Sequence, residues 1–396
     1  MSPDDAGSIQ PFVLACPHCE TGMRGRLHAG RARGQPSLLS EDFDLVDGRG
    51  DPDDPAVTVA TDLPVHVSLR LGRAGDVMLT PFIHLASSLC NDAAGELMGR
   101  IGSVRVFREE QYPALRRAAL AFARGDGPAV TRALTDEAAD TTEFATQFAP
   151  TAQIGWAFML AYAPAEDAAL IEAARTEKAD VFGNAVEANP AAVIELLQEM
   201  QTRWFTEHTN RVLDSALTLL GDIEPLICGL AAERLENAAG LGDYRVMRDD
   251  FDVLKGRYQD IFELGSRSLA FMSRVANIGR RATAADHVNG KRLSLSEAIR
   301  LKAVEREPWL ADFPVAAQLY SAVKRHTRNE IGHRSVRYDF ERGVLVYDDG
   351  AEQNYLLFLV DYLQVVRLSH YLLEVVFTFR RAMEPLGITT VGHARS

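Results

Sequence analysis

Short strand-like runs open the chain, and helical periodicity takes over after about residue 75. Residues 11–15, 23–28, 43–46, 56–60 and 64–70 are candidate strands, separated by clusters such as Gly48-Arg49-Gly50-Asp51-Pro52 that supply turns. From 75 to 240, apolar residues recur at three- and four-residue steps. Helices are expected at 81–98, 112–124, 129–134, 165–175, 190–205 and 210–237. Pro190 suits the first turn of its helix. No fixed period repeats, so a solenoid is not expected.

A third pattern begins near Gly240. Phe251, Leu254, Tyr258, Ile261, Phe262, Leu269, Met272 and Ala276 form one apolar stripe, which predicts a long helix over 250–281. After a polar loop, Ser294 and Glu297 have the spacing of a capping box opening a helix over 294–302. Pro314 precedes a helix over 315–331. Residues 336–340 and 343–347 flank Glu341-Arg342 as a β-hairpin. A final helix over 355–383 would be about 40 Å long. The fold class is therefore mainly α, in three regions: a small β-rich N-terminal region (1–72), a helical middle region of no assigned role (73–240) and a C-terminal helical bundle with an inserted hairpin (241–396).

Composition narrows the picture. The chain has 396 residues, 47% hydrophobic, which is enough for real cores. A net charge of −13 argues against general coating of nucleic acid or anionic membrane. The stretch from Tyr320 to Arg342 runs the other way, with six Lys/Arg against three Asp/Glu, a local net of +3. Four scattered cysteines make no disulfide framework, and the polar, acidic first ten residues are not a secretory signal. The last helix carries Asp361 and Gln364 and reads as core or dimer interface rather than a membrane span. A soluble, cytoplasmic protein is expected.

The basic stretch holds Arg328-Asn329-Glu330-Ile331-Gly332-His333. An Arg can clamp a phosphodiester, an Asn can orient a neighbour and a His can move a proton near neutral pH, all without metal. On a straight helix Asn329 and His333 share a face, with His326 beside them, while Arg328 points roughly the opposite way. Meeting one phosphate therefore requires a break near Gly332, or a second protomer that supplies the missing group. The same residues at a helix end also complement its dipole. Lys324, Arg325, Arg334 and Arg337 are candidates for holding flanking phosphates, or form a solvated basic face.

Arg328-Asn329 followed by His333 resembles the Arg-Asn…His signature of HEPN domains, found in many ribonucleases and in toxin and phage-defence proteins. The setting is similar too: a long first helix with Tyr258, Phe262 and Glu263, the motif running into Gly332-His333-Arg334-Ser335, a hairpin with Tyr338 and Asp339, then a long last helix. The resemblance covers roughly residues 245–385. It implies metal-independent endoribonuclease activity with the substrate 2′-hydroxyl as nucleophile, His333 as general base or acid, Arg328 on the phosphate, and Asn329 as orienter. It also implies a homodimer with a composite site, and RNA as partner. The alternative is a non-catalytic HEPN-like protein that binds RNA or dimerises.

Cys16-Pro17-His18-Cys19 has the spacing of one zinc-ribbon knuckle. A structural zinc needs four ligands. The second cysteine pair is absent and His18 and His28 are the nearby donors, so the expectation is either a zinc on Cys16 and Cys19 or a metal-free knuckle. No cofactor is expected for catalysis. His84 and Cys90 read as packing, and Glu263 and Asn277 as neighbours able to reach His333 or as ordinary capping and surface groups. There is no Walker A loop, dinucleotide fingerprint or His-Glu-x-x-His pattern.

Overall fold

A computed structural model describes residues 9–15, 22–28, 37–40, 55–56, 63–66, 72–73, 81–89, 91–135, 149–166, 168–238, 240–246, 248, 250–287, 290–324, 336–339 and 342–387. These are mostly helical, with a few small antiparallel strands. In chain order the strands are β1 (Ile9–Ala15), β2 (Gly22–His28), β3 (Ser37–Ser40), β4 (Pro55–Ala56), β5 (Val65–His66), β6 (Gly72–Arg73), β7 (Tyr244–Arg245), β8 (Val336–Asp339), β9 (Val344–Tyr347) and β10 (Glu352–Asn354). The helices are α1 (Pro81–Ser88), α2 (Asn91–Val106), α3 (Tyr112–Ala123), α4 (Gly127–Thr135), α5 (Pro150–Tyr162), α6 (Ala168–Ala188), α7 (Pro190–Glu199), α8 (Arg203–Gly221), α9 (Ile223–Ala238), α10 (Phe251–Arg281), α11 (Leu295–Arg300), α12 (Ala303–Arg306), α13 (Pro314–Lys324) and α14 (Tyr355–Met383). A π-helical turn, Phe107–Gln111, joins α2 to α3.

Several expected elements appear almost residue for residue. The stripe over 250–281 is α10, and 355–383 is α14. The Ser294 capping box is formed, with Glu297 N–H donating to Ser294 Oγ at 3.3 Å and Ser294 N–H to Glu297 Oε2 at 2.8 Å. β1 and β2 pair antiparallel with Ala15 opposite Gly22, and β3 extends that sheet. β3 lies where the sequence pattern predicts no strand. The expected strand at 43–46 lies outside the described residues.

Three expected helices are each two. Residues 81–98 break after Ser88, where the Ser87 and Ser88 hydroxyls both donate to the His84 carbonyl, at 2.8 and 2.9 Å, satisfying a chain-end acceptor. Residues 190–205 break after Glu199, and Thr202 Oγ1 then accepts from Phe205 N–H at 3.4 Å to open α8. Residues 210–237 break after Gly221. Its carbonyl accepts from Arg108 Nε at 2.9 Å, and the Leu217 carbonyl accepts from the Tyr112 hydroxyl at 3.0 Å. Helix α5 had no counterpart in the sequence reading. It buries Ile154, Phe158, Ala161 and Tyr162, yet leaves Trp156 and Leu160 half open to solvent, so no single apolar stripe marks it.

The chain folds into two compact units. The first combines Met1–Gly102, Asp222–Gly256 and His326–Leu363; the second combines Ser103–Gly221, Arg257–Arg325 and Gln364–Ser396. In the first, Tyr355 at the start of α14 gathers Tyr338 of β8 (ring centroids 4.4 Å), Phe251 of α10 (6.1 Å) and Phe358 (5.6 Å). The Tyr355 hydroxyl donates to Asp250 at 2.8 Å, and Asp250 accepts from Arg248 Nε at 2.7 Å. Gly229 of α9 lets two helices touch: a Cβ there would stand 2.8 Å from the Leu359 carbonyl oxygen. In the second unit, α13 lies against α10. Tyr320 donates to the Phe262 carbonyl at 2.9 Å, over Gly265, where a Cβ would come within 2.8 Å of the ring.

α14 is long and apolar enough to cross a membrane by length and composition, with a mean hydropathy of 1.3 over its most apolar window. That window is 78% buried inside the protein, as expected of a core helix.

Candidate functional site

The structure describes the elements that precede and follow the Arg-Asn-x3-His stretch in the chain. On the N-terminal side is α13, where Val315, Ala316, Leu319, Tyr320 and Val323 are buried and Ser321 is exposed. Pro314 begins it, and its first turn is held from α6: Val315 N–H donates to Glu177 Oε2 at 2.6 Å. A carboxylate there satisfies an otherwise orphan amide and complements the positive end of the helix. The other Glu177 oxygen accepts from the Tyr371 hydroxyl at 2.7 Å. Burial outweighs these bonds and raises the Glu177 pKa.

On the C-terminal side is the three-stranded sheet β10-β9-β8, with Val336 opposite Tyr347 and Asp339 opposite Val344. Gly343 takes a left-handed φ of 65° in the β8–β9 turn, where Asp339 Oδ1 accepts from Arg342 N–H at 3.2 Å. Arg245 Nε donates to the Arg342 carbonyl at 3.1 Å, and the Asn354 side chain donates to the Leu241 and Tyr244 carbonyls at 2.8 and 3.1 Å. An exposed bidentate pair, Arg342 with Glu352 at 2.6 and 2.7 Å, links the turn to β10.

Arg328, Asn329 and His333, and the flanking Arg325 and Arg334, lie outside the described residues. So does the side chain of Lys324, the last residue of α13. Arg337 is described: it stands exposed on β8 beside buried Val336, opposite Val346 of β9. Cys16, His18 and Cys19 also lie outside the described residues. Among the described residues no group of three or more His, Cys, Asp or Glu is arranged to hold a metal ion.

Of the α10 residues singled out by sequence, Tyr258 and Phe262 are buried and Glu263 is exposed. Asn277 has local work. Its Nδ2 donates to His287 Nδ1 at 3.1 Å and its Oδ1 accepts from Arg281 at 2.8 Å. The donor on Nδ1 requires a neutral imidazole with its proton on Nε2. The ring stacks on Trp309 at 4.5 Å, and burial, with help from Arg274 and Arg281, lowers its pKa to about 4.

The sequence pattern assigns no chemistry to α6, although it carries a strongly perturbed cation. Lys178 is 7% exposed, its ammonium has no hydrogen-bond partner, and burial pulls its pKa down to about 8. A signal existed: Arg175 and Lys178 are three apart on α6, and Glu374, Thr378 and Arg381 follow at helical spacing on α14. In the first unit, Glu224 is raised to about 7 by burial and then by its neighbour Asp222.

No family model, curated protein or solved structure matches this chain.

Proposed function

We propose that this chain is a metal-independent endoribonuclease of HEPN type, acting as a homodimer, with Arg328, Asn329 and His333 as its catalytic groups. The observation that carries the proposal is the Arg-Asn-x3-His spacing in the sequence, which follows a helix packed through its apolar face and precedes a strand that presents Arg337 to solvent. The local charge of that stretch opposes the acidic balance of the whole chain, as a confined polyanion site requires.

The chemistry follows from the groups. His333 takes the proton from the 2′-hydroxyl, and the 2′-oxygen attacks the adjacent phosphorus. Arg328 stabilises the charge that builds on the phosphoryl oxygens. The bond to the 5′-oxygen breaks, that oxygen gains a proton, and a 2′,3′-cyclic phosphate remains. Asn329 keeps His333 or the phosphate in register. Lys324, Arg325, Arg334 and Arg337 hold neighbouring phosphates. A second copy of the motif across the dimer supplies both an Arg and a His to one phosphate without requiring a sharp helix break. Membership of a toxin or phage-defence system is part of the same proposal and rests on the HEPN resemblance alone.

Purified wild type, Arg328→Ala and His333→Ala, incubated with cellular RNA with and without EDTA, test the reading. Wild type is expected to cut equally well in EDTA, and His333→Ala to lose at least about 100-fold in rate, the usual scale of a general acid–base group. Equal rates for wild type and His333→Ala would overturn it. RNA retained without cleavage by any of the three would favour the non-catalytic, RNA-binding alternative.

A further inference from the structure

The second unit contains a cavity of about 760 Å³, in the size range that encloses most of a small organic ligand. One part of its wall is apolar: Leu115, Leu134, Trp156 and Leu160 line it, with Phe107 and Phe182. Trp156 and Leu160 are four residues apart on α5 and are 50% and 44% exposed, so two large apolar side chains on one helical face stay open beside this hollow. The charged part of the wall comes from α6, α14 and the π-helical turn, with Arg175, Lys178 and Arg381 against Glu110 and Glu374, three cations to two carboxylates.

Those charges are not all matched internally. Lys178 is 7% exposed, and its Nζ has no hydrogen-bond partner; it lies over the Tyr371 ring face at 5.0 Å. Arg175 directs a guanidinium N–H at the Met159 sulfur at 2.6 Å, a weak acceptor for a strong donor. Of the nearby acids, Glu177 is committed to Val315 N–H and the Tyr371 hydroxyl, and Glu374 approaches Arg381 at 3.9 Å. Lys178 and Arg175 also line a smaller adjoining pocket that includes Met159 and Glu374. An ammonium held out of water without a hydrogen-bonding anion is costly, and an external anion relieves that cost.

We propose that this cavity is a binding site for an amphipathic carboxylate, with the acid group on Lys178 and Arg175 and an aliphatic body along Leu115, Leu134, Trp156 and Leu160. The site shares no residue with the proposed nuclease motif and does not depend on it. Burial, opposed by Glu374 and Glu177 and reinforced by Arg381 and Arg175, brings Lys178 down to about 8, so at neutral pH it still carries the proton that a carboxylate needs.

Decanoate serves as the probe, with decanol as its uncharged counterpart. Both are titrated into the full-length chain at pH 7 and followed by tryptophan fluorescence and calorimetry. Saturable decanoate binding is expected, with decanol at least about tenfold weaker, as loss of one charge-assisted contact implies. Trp156→Phe is expected to remove the fluorescence change and keep the heat. Lys178→Met is expected to weaken decanoate by about tenfold or more and leave decanol unchanged. Arg175→Gln, at an exposed position that tolerates change, gives the same discrimination should Lys178→Met fail to fold. No saturable binding, equal affinity for decanoate and decanol, or wild-type decanoate affinity in the folded variants would each overturn the proposal.

Discussion

At the scale of single residues, buried ionisable groups set opposite pH dependences in the two units. His287 is held neutral by the Asn277 donor and the Trp309 stack, and His208, bonded to Ser268 at 2.9 Å, is lowered to about 3 by burial. Both folded-state pKa values lie below the unfolded value, so the unfolded chain binds more protons and stability falls as pH drops from about 6.5 towards 4. His287→Asn is expected to lose about 1–2 kcal/mol less than wild type between pH 7 and pH 5, read by denaturant unfolding. An equal loss in both would show that His287 does not report its burial. Glu224 works the other way. Its folded value of about 7 lies above the unfolded one, so stability is full below about 4.5 and is lost as pH rises through 7. Glu224→Gln is expected to gain about 2 kcal/mol over wild type at pH 8 and nothing at pH 4.5.

At the scale of elements, one glycine decides how closely two helices approach. Gly265 admits the Tyr320 ring that fastens α13 to α10, and that ring is already pinned by its bond to the Phe262 carbonyl. Gly265→Ala is expected to destabilise by about 1–3 kcal/mol, the usual cost of overpacking, and Tyr320→Phe by about 1 kcal/mol for one lost hydrogen bond. Both are measurable as shifts in the unfolding midpoint. A Gly265→Ala variant as stable as wild type would mean that the ring moves aside freely. Because α13 leads directly into the proposed catalytic stretch, that variant also tests whether the docking of this helix matters for RNA cleavage. The same scale shows what periodicity can and cannot mark. α10 and α14 were legible because each needs one long apolar face. α5 was not, because it packs on one side and borders a hollow on the other. The break after Gly221 was invisible because the side chains that satisfy its last carbonyls, Arg108 and Tyr112, arrive from more than 100 residues away.

At the scale of the whole molecule, the proposed composite site requires two copies of the chain. Light scattering at micromolar concentration is expected to give a dimer; a monomer would contradict the shared site and would force Arg328 and His333 to meet within one protomer. The knuckle at Cys16 and Cys19 makes a separate claim. Metal analysis of chain purified without chelator is expected to give a full equivalent of zinc if the knuckle is filled, and Cys16→Ser together with Cys19→Ser to abolish it. A wild-type value far below one equivalent would leave the metal-free knuckle.

The helix before the candidate catalytic stretch and the hairpin after it were legible in the sequence alone, since both are set by neighbouring residues, while Arg328, Asn329 and His333 themselves lie outside the described residues. The same holds for the capping box at Ser294, the long helices and the mainly helical class, each of which rests on periodicity or on contacts a few residues apart. Tertiary structure decided the rest. It gathered Met1–Gly102, Asp222–Gly256 and His326–Leu363 into one unit, because apolar faces seek partners in space and not in order. It also left Lys178 without a hydrogen-bond partner beside a large cavity, a condition set by what surrounds a lysine and not by its place in the chain.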